Sequence, residues 1–148
     1  MQFTTILLSA IFAIPAVLGE STIAYFSNVY DENGGSNSLW DVACADNAFG
    51  LVTTKGYTTM NSIPSWPYVA GFNQVKNGSP LCGSCWGVNY QDTTIYVTAI
   101  DENSDAGFVL SQTAMAKLTH GEGIDKGSVD VNYWAADPSI CANKNWAN

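Results

Sequence analysis

Arginine is absent from this chain of 148 residues, histidine occurs once, and five lysines stand against thirteen acidic residues, giving a formal net charge of −8. A nucleic-acid binder draws its affinity from neutralised phosphates, and an anionic membrane surface is met by clustered basic residues. Neither has a counterpart here, so no nucleic acid and no membrane partner is expected, and a neutral ligand fits better. The scarcity of histidine also limits catalysis. A Ser-His-Asp or Cys-His set would have to use His120, which stands in Thr119-His120-Gly121 just past a helical stretch, where the helix dipole favours a histidine on structural grounds. A zinc site lacks ligands for the same reason, since there is one close cysteine pair and no second. Neither Gly34-Gly35 nor Gly121-Glu122-Gly123 has the spacing of a phosphate-binding loop. No metal or other cofactor is implied, and no internal repeat or low-complexity tail is found.

Long apolar runs are missing too, apart from one at the start, residues 6–19. It is shorter than the roughly 20 residues needed to span a bilayer, and Pro15 interrupts it. With Val17 and Gly19 suited to cleavage before Glu20, residues 1–19 read as an export signal and residues 20–148 as one domain. The expected location is therefore extracellular, secreted or associated with a cell wall. Asn77-Gly78-Ser79 is the one glycosylation sequon.

What the chain does have is four cysteines, Cys44, Cys82, Cys85 and Cys141. After an export signal they read as a disulfide framework, whose three pairings the sequence leaves open. Cys82-Gly83-Ser84-Cys85 resembles a dithiol redox motif, but Trp86-Gly87-Val88-Asn89-Tyr90 has the composition of a strand rather than the helix that would lower a thiol pKa. β-branched and aromatic residues punctuated by polar turns predict strands at 22–26, 50–53, 87–90, 94–100, 107–110 and 128–134. Tyr96 and Ile100 make the second face of the 94–100 strand partly apolar, so both its faces should be covered. A helix is predicted at 111–119, capped by Ser111 and stopped by Gly121. The pattern describes a small β-barrel with one or two short helices.

Carboxylates are the remaining candidates for chemistry. Asp101 ends the best strand and opens the loop 101–108, a place where a scaffold presents binding residues. A glycosidase would need a second carboxylate across the scissile bond, and Asp31, Glu32, Asp41 and Asp46 are conceivable partners. Five tryptophans and seven tyrosines supply faces on which sugar rings stack. Trp86, Tyr90 and Tyr133 lie in strand patterns and should be core, whereas Trp40, Trp66 and Trp146 lie in loops and, if exposed, suit attachment to hydrophobic interfaces.

Tyr25, Tyr30-Asp31, Val42-Ala43-Cys44, Gly56-Tyr57, Ser79-Pro80-Leu81-Cys82-Gly83-Ser84-Cys85-Trp86, Ala99-Ile100-Asp101, Gly107-Phe108 and Val131-Asn132-Tyr133 occur in an order that resembles the cerato-platanin family of small secreted fungal proteins. The resemblance implies a six-stranded double-ψ β-barrel and two disulfides, Cys44 with Cys82 and Cys85 with Cys141. It implies a non-catalytic protein that binds chitin-type oligosaccharides in a shallow groove, loosens wall polysaccharide as expansins do, self-assembles at interfaces and elicits plant defence. Carried over by position, the groove would contain Asp101 as the central hydrogen-bonding carboxylate, Asn103, Ser104, Gly107 and Phe108 around it, backbone near Val42 and Ala43, and a stacking face from Tyr25 or Tyr30.

Overall fold

A computed structural model describes residues 19–147. The segment read as an export signal lies outside the described residues except for Gly19. Six strands close a barrel: β1 (Glu20–Ser27), β2 (Val69–Phe72), β3 (Cys85–Tyr90), β4 (Thr93–Glu102), β5 (Phe108–Ser111) and β6 (Ser128–Ala136). Around the wall they run β1, β5, β2, β4, β3, β6 and back to β1. Two contacts, β1 with β5 and β2 with β4, are parallel and the rest are antiparallel. Closure leaves no free sheet edge. Four short helices decorate it: α1 (Leu51–Lys55), α2 (Gln112–Thr119), α3 (Glu122–Lys126) and α4 (Pro138–Asn143).

Ala24, Val88, Ile95, Val97, Ala99, Leu110, Val129 and Val131 are buried in the core. One end is plugged by aromatic rings. Phe72 and Phe108 stack at 4.2 Å with their planes 2° apart, and Trp86 and Tyr133 meet Phe72 at 4.7 and 5.5 Å. Thr98 and Ile100 are buried on the second face of β4, which is covered on both sides as expected.

Ser111 caps α2 by accepting from Ala114 N at 3.1 Å, and His120 closes it in the left-handed region at φ 52. Two predictions fail locally. Residues 50–53 are not a strand: Gly50 is the N-cap of α1, Leu51 N donates to Cys44 O at 2.7 Å, and Gly56 closes the helix at φ 72. A Cβ on Gly50 would stand 2.3 Å from Ala45 O, so tight packing against the Cys44 turn, not the β-preference of Val52 and Thr53, decides the conformation. Strand β2 goes unpredicted because Val69-Ala70-Gly71-Phe72 is short and its middle pair has no strand preference; its four residues are nevertheless all buried between β4 and β5. The cysteines pair as the resemblance implied, Cys44 with Cys82 and Cys85 with Cys141.

A candidate carbohydrate site around Asp101

Strand β4 delivers Asp101 to the plugged end of the barrel, opposite Gly71 of β2. Its carboxylate is held by three donors. Oδ1 accepts from Ala43 N at 2.9 Å and from Glu102 N at 2.8 Å, and Oδ2 accepts from the Tyr30 hydroxyl at 3.1 Å. Gly71 makes room for this knot, since a Cβ there would sit 3.0 Å from the Tyr30 oxygen. A carboxylate offers about four lone-pair sites. One is left for a ligand, and Asp101 is only half-buried.

Tyr30 belongs to this unit in a different role from the expected one. Only 6% of its surface is exposed, so it offers no stacking face. Burial first, then the charge of Asp101 and the hydrogen bond to it, push its ionisation far above the ordinary tyrosine value, so the phenol remains a donor. Trp66 holds Tyr30 from behind: its indole N–H donates to Tyr30 O at 3.1 Å, and the ring lies across Gly35, whose Cβ would fall 2.5 Å from it. Sequence reading missed this support. The available sign was Gly34-Gly35, where only a residue without a side chain admits the ring.

The loop after Asp101 is a self-bonded frame. Asn103 is buried, accepting from Asp105 N at 3.1 Å and donating to Gly107 O at 3.3 Å. Gly107 sits at φ +82 with its missing Cβ only 1.9 Å from Ile23 O, a position that admits no side chain. Ser104 is exposed at the top of the loop. Among the expected contact residues, then, Asp101 and Ser104 face solvent, and Asn103 and Gly107 shape the loop. The backbone N–H of Ala43 is already committed to Asp101. Phe108 is corrected to a core residue, because its side chain is buried and locked in the aromatic plug, and Val42, expected to offer backbone only, has its side chain buried as well. Tyr25, half-buried on β1, is three strand steps around the wall from Asp101 and is not brought to it.

The other aromatics divide. Trp86 and Tyr133 are buried and Tyr90 is half-buried. Trp40 is 55% exposed, but Trp66 is clamped as described and Trp146 packs edge-on against Tyr68 at 4.7 Å while donating to Ile140 O. Neither Cys82 nor Cys85 is a free thiol. Asn77 is exposed in a turn. Among the described residues, no helix is long and apolar enough to cross a membrane.

Comparison with known proteins agrees with this architecture. The family model described as cerato-platanin matches residues 21–143. "Allergen Asp f 15" of Aspergillus fumigatus is 36% identical over 154 residues, covering 97% of this chain and 99% of that protein. The crystal structure of cerato-platanin 1 from M. perniciosa superposes with a TM-score of 0.75 at 32% identity, covering 81% of this chain and 98% of that one. The solution structure of the fungal elicitor cerato-platanin gives 0.71 at 30% identity, covering 82% and 97%. With all of the barrel but its first residue, both disulfides and the Asp101 loop inside the matched region, the chain belongs to the cerato-platanin family.

Proposed function

We propose that this chain is an exported, non-catalytic carbohydrate-binding protein that takes chitin-type oligosaccharides at the Asp101 loop, loosens wall polysaccharide by competing for its hydrogen bonds, and acts as an elicitor of plant defence. The observation that carries the reading is the Asp101 knot. Three internal donors fix the carboxylate's direction and leave about one acceptor position for a hydroxyl or acetamido N–H of a sugar. Prior fixation lowers the entropy lost on binding. The acidic surface without arginine suits a neutral ligand, and Ser104 adds a hydroxyl at the rim.

A non-catalytic role is supported by the same bonds. An inverting glycosidase needs one carboxylate free to activate water and another held protonated, about 6.5–9.5 Å away. Asp101 is committed to backbone and Tyr30 donors.

Glycan-array binding run beside a reducing-sugar assay on one preparation tests both halves. The expected result is saturable binding of N-acetylglucosamine oligomers with no reducing ends released. Absence of binding sinks the ligand, and turnover that disappears in Asp101→Asn sinks the non-catalytic reading. N-terminal sequencing of the exported protein should begin at Glu20.

Exposure of Trp40, Val29 and Phe49 favours a second reading, self-assembly at hydrophobic interfaces. Trp66 and Trp146 are half-buried and packed, which leaves Trp40 as the exposed one of the three loop tryptophans. Surface-tension measurement should show activity that falls in Trp40→Ser.

A further inference from the structure

A second cleft opens at the same end of the barrel, on the far side from Asp101. Glu20 at the start of β1, Gln74 just past β2, Trp86 on β3 and Tyr133, Trp134 and Ala135 on β6 enclose about 300 Å³. Strand register brings them together: Glu20 pairs with Tyr133, and Trp86 pairs with Ala135. Phe72, two residues before Gln74, pairs with Glu102, the neighbour of Asp101, and Lys76 bonds Glu102 at 2.6 Å. The Gln74 segment is thereby tied to the Asp101 strand. Three strand steps separate β1 from β4 in either direction around the wall. At roughly 4.8 Å per step the crossing alone is about 14 Å, and the pairing register sets Glu20 further along its strand than the residue in line with Asp101.

The polar groups of the cleft form a relay. Gln74 Nε2 donates to the Tyr133 oxygen at 3.1 Å, and the Tyr133 hydroxyl donates to Glu20 at 2.6 Å. Among the described residues no other hydrogen bond uses the Glu20 carboxylate or the Gln74 carboxamide, so the oxygens of both and one amide N–H retain capacity for a ligand. The aromatic wall is rigid. Trp134, the next residue along β6, points to the opposite face of the sheet, where its ring covers Gly87 and meets Tyr96 edge-on at 6.4 Å, so Trp86 and Tyr133 supply the rings of the cleft. Trp86 and Tyr133 are anchored in the plug with Phe72 and Phe108.

The apolar edges of Trp86 and Tyr133 beside planar polar groups match a neutral sugar, which presents C–H faces and hydroxyls together. An anion would meet Glu20, and an apolar chain would strip water from Glu20, Gln74 and Tyr133 without replacing its bonds. The geometry points to a second sugar subsite at Glu20, Gln74, Trp86 and Tyr133, so that an oligomer long enough to reach from Asp101 occupies both and binds more tightly than a short one. This rests on the carbohydrate-binding reading and adds to it a length preference and the residues that set it.

Titration of the exported protein with chitobiose and chitohexaose, for wild type, Gln74→Ala and Glu20→Ala, tests it. Wild type should bind the hexaose about ten-fold more tightly, roughly one ordinary hydrogen-bonding or stacking contact's worth. Both variants should lose most of that advantage while holding chitobiose as before. Gln74 and Glu20 are both exposed, so either variant keeps the test decisive if the other fails to fold. Equal affinity of wild type for both sugars, or hexaose binding unchanged in Gln74→Ala, overturns the subsite while leaving the Asp101 reading intact. Binding of neither sugar overturns both.

Discussion

At the residue scale, Asp101 is a structural hub whose binding capacity is what its internal partners leave over. Its carboxylate satisfies a buried phenol and a backbone N–H that would otherwise lack acceptors. Tyr30→Phe removes one donor while keeping the ring, and should cost about 1 kcal/mol in chemical denaturation, the net worth of an ordinary hydrogen bond. The same change releases Oδ2 and loosens the carboxylate, so oligosaccharide affinity should fall although Tyr30 touches no ligand. Gly107→Ala is expected to be far worse. Its backbone lies at φ +82 and its Cβ would overlap Ile23 O at 1.9 Å, so a loss of about 3 kcal/mol or more in the same assay, or failure to fold, is predicted.

At the element scale, long strands with strong patterns were legible and short, tightly packed segments were not. β4 and α2 announce themselves through alternating Ile95, Val97 and Ala99 and through the Ser111 cap, because local preference and tertiary position agree there. α1 and β2 are decided by neighbours. Gly50 against the Cys44 turn overrides β-branched preference, and four buried residues between two strands override the weak preference of Ala70-Gly71. The site shows the same division. Asp101 and its loop are visible as a carboxylate at a strand end, while burial of Tyr30, Phe108 and Val42 depends on contacts between segments far apart in sequence. The disulfides tie other distant segments together, Cys44 to Cys82 and Cys85 to Cys141, at separations of 38 and 56 residues. Chain entropy assigns each about 4 kcal/mol as an upper figure. Replacing Cys44 and Cys82 together by alanine should therefore lower denaturation stability by up to that amount, and should disturb the Asp101 site as well, since Cys44 N donates to Ile100 O at 3.1 Å beside it.

At the scale of the whole molecule, alkaline pH is the condition that should unlock the barrel end. Tyr133 is pushed up to about 12 by burial and then by its bond to, and the charge of, Glu20, although Gln74 pulls slightly the other way. Tyr30 and Tyr68 are also raised, both chiefly by burial. Each native state prefers the neutral phenol, so its stabilising contribution is complete below the unfolded tyrosine value near 10 and is lost as pH climbs through the higher folded value. Denaturation midpoints should hold up to about pH 10 and decline toward 12, with phenolate absorbance from these tyrosines appearing late and together with unfolding. Absorbance complete near pH 10 in the folded protein would show that the knot and the relay are open to solvent. The most direct test of the account is calorimetric titration of chitotetraose into wild type and Asp101→Asn, with folding of both checked by near-ultraviolet dichroism. The account predicts saturable heat for wild type and at least about ten-fold weaker binding for a folded Asp101→Asn, as expected when a charged acceptor is lost. Unchanged affinity in the folded variant, or no heat in wild type, would contradict it.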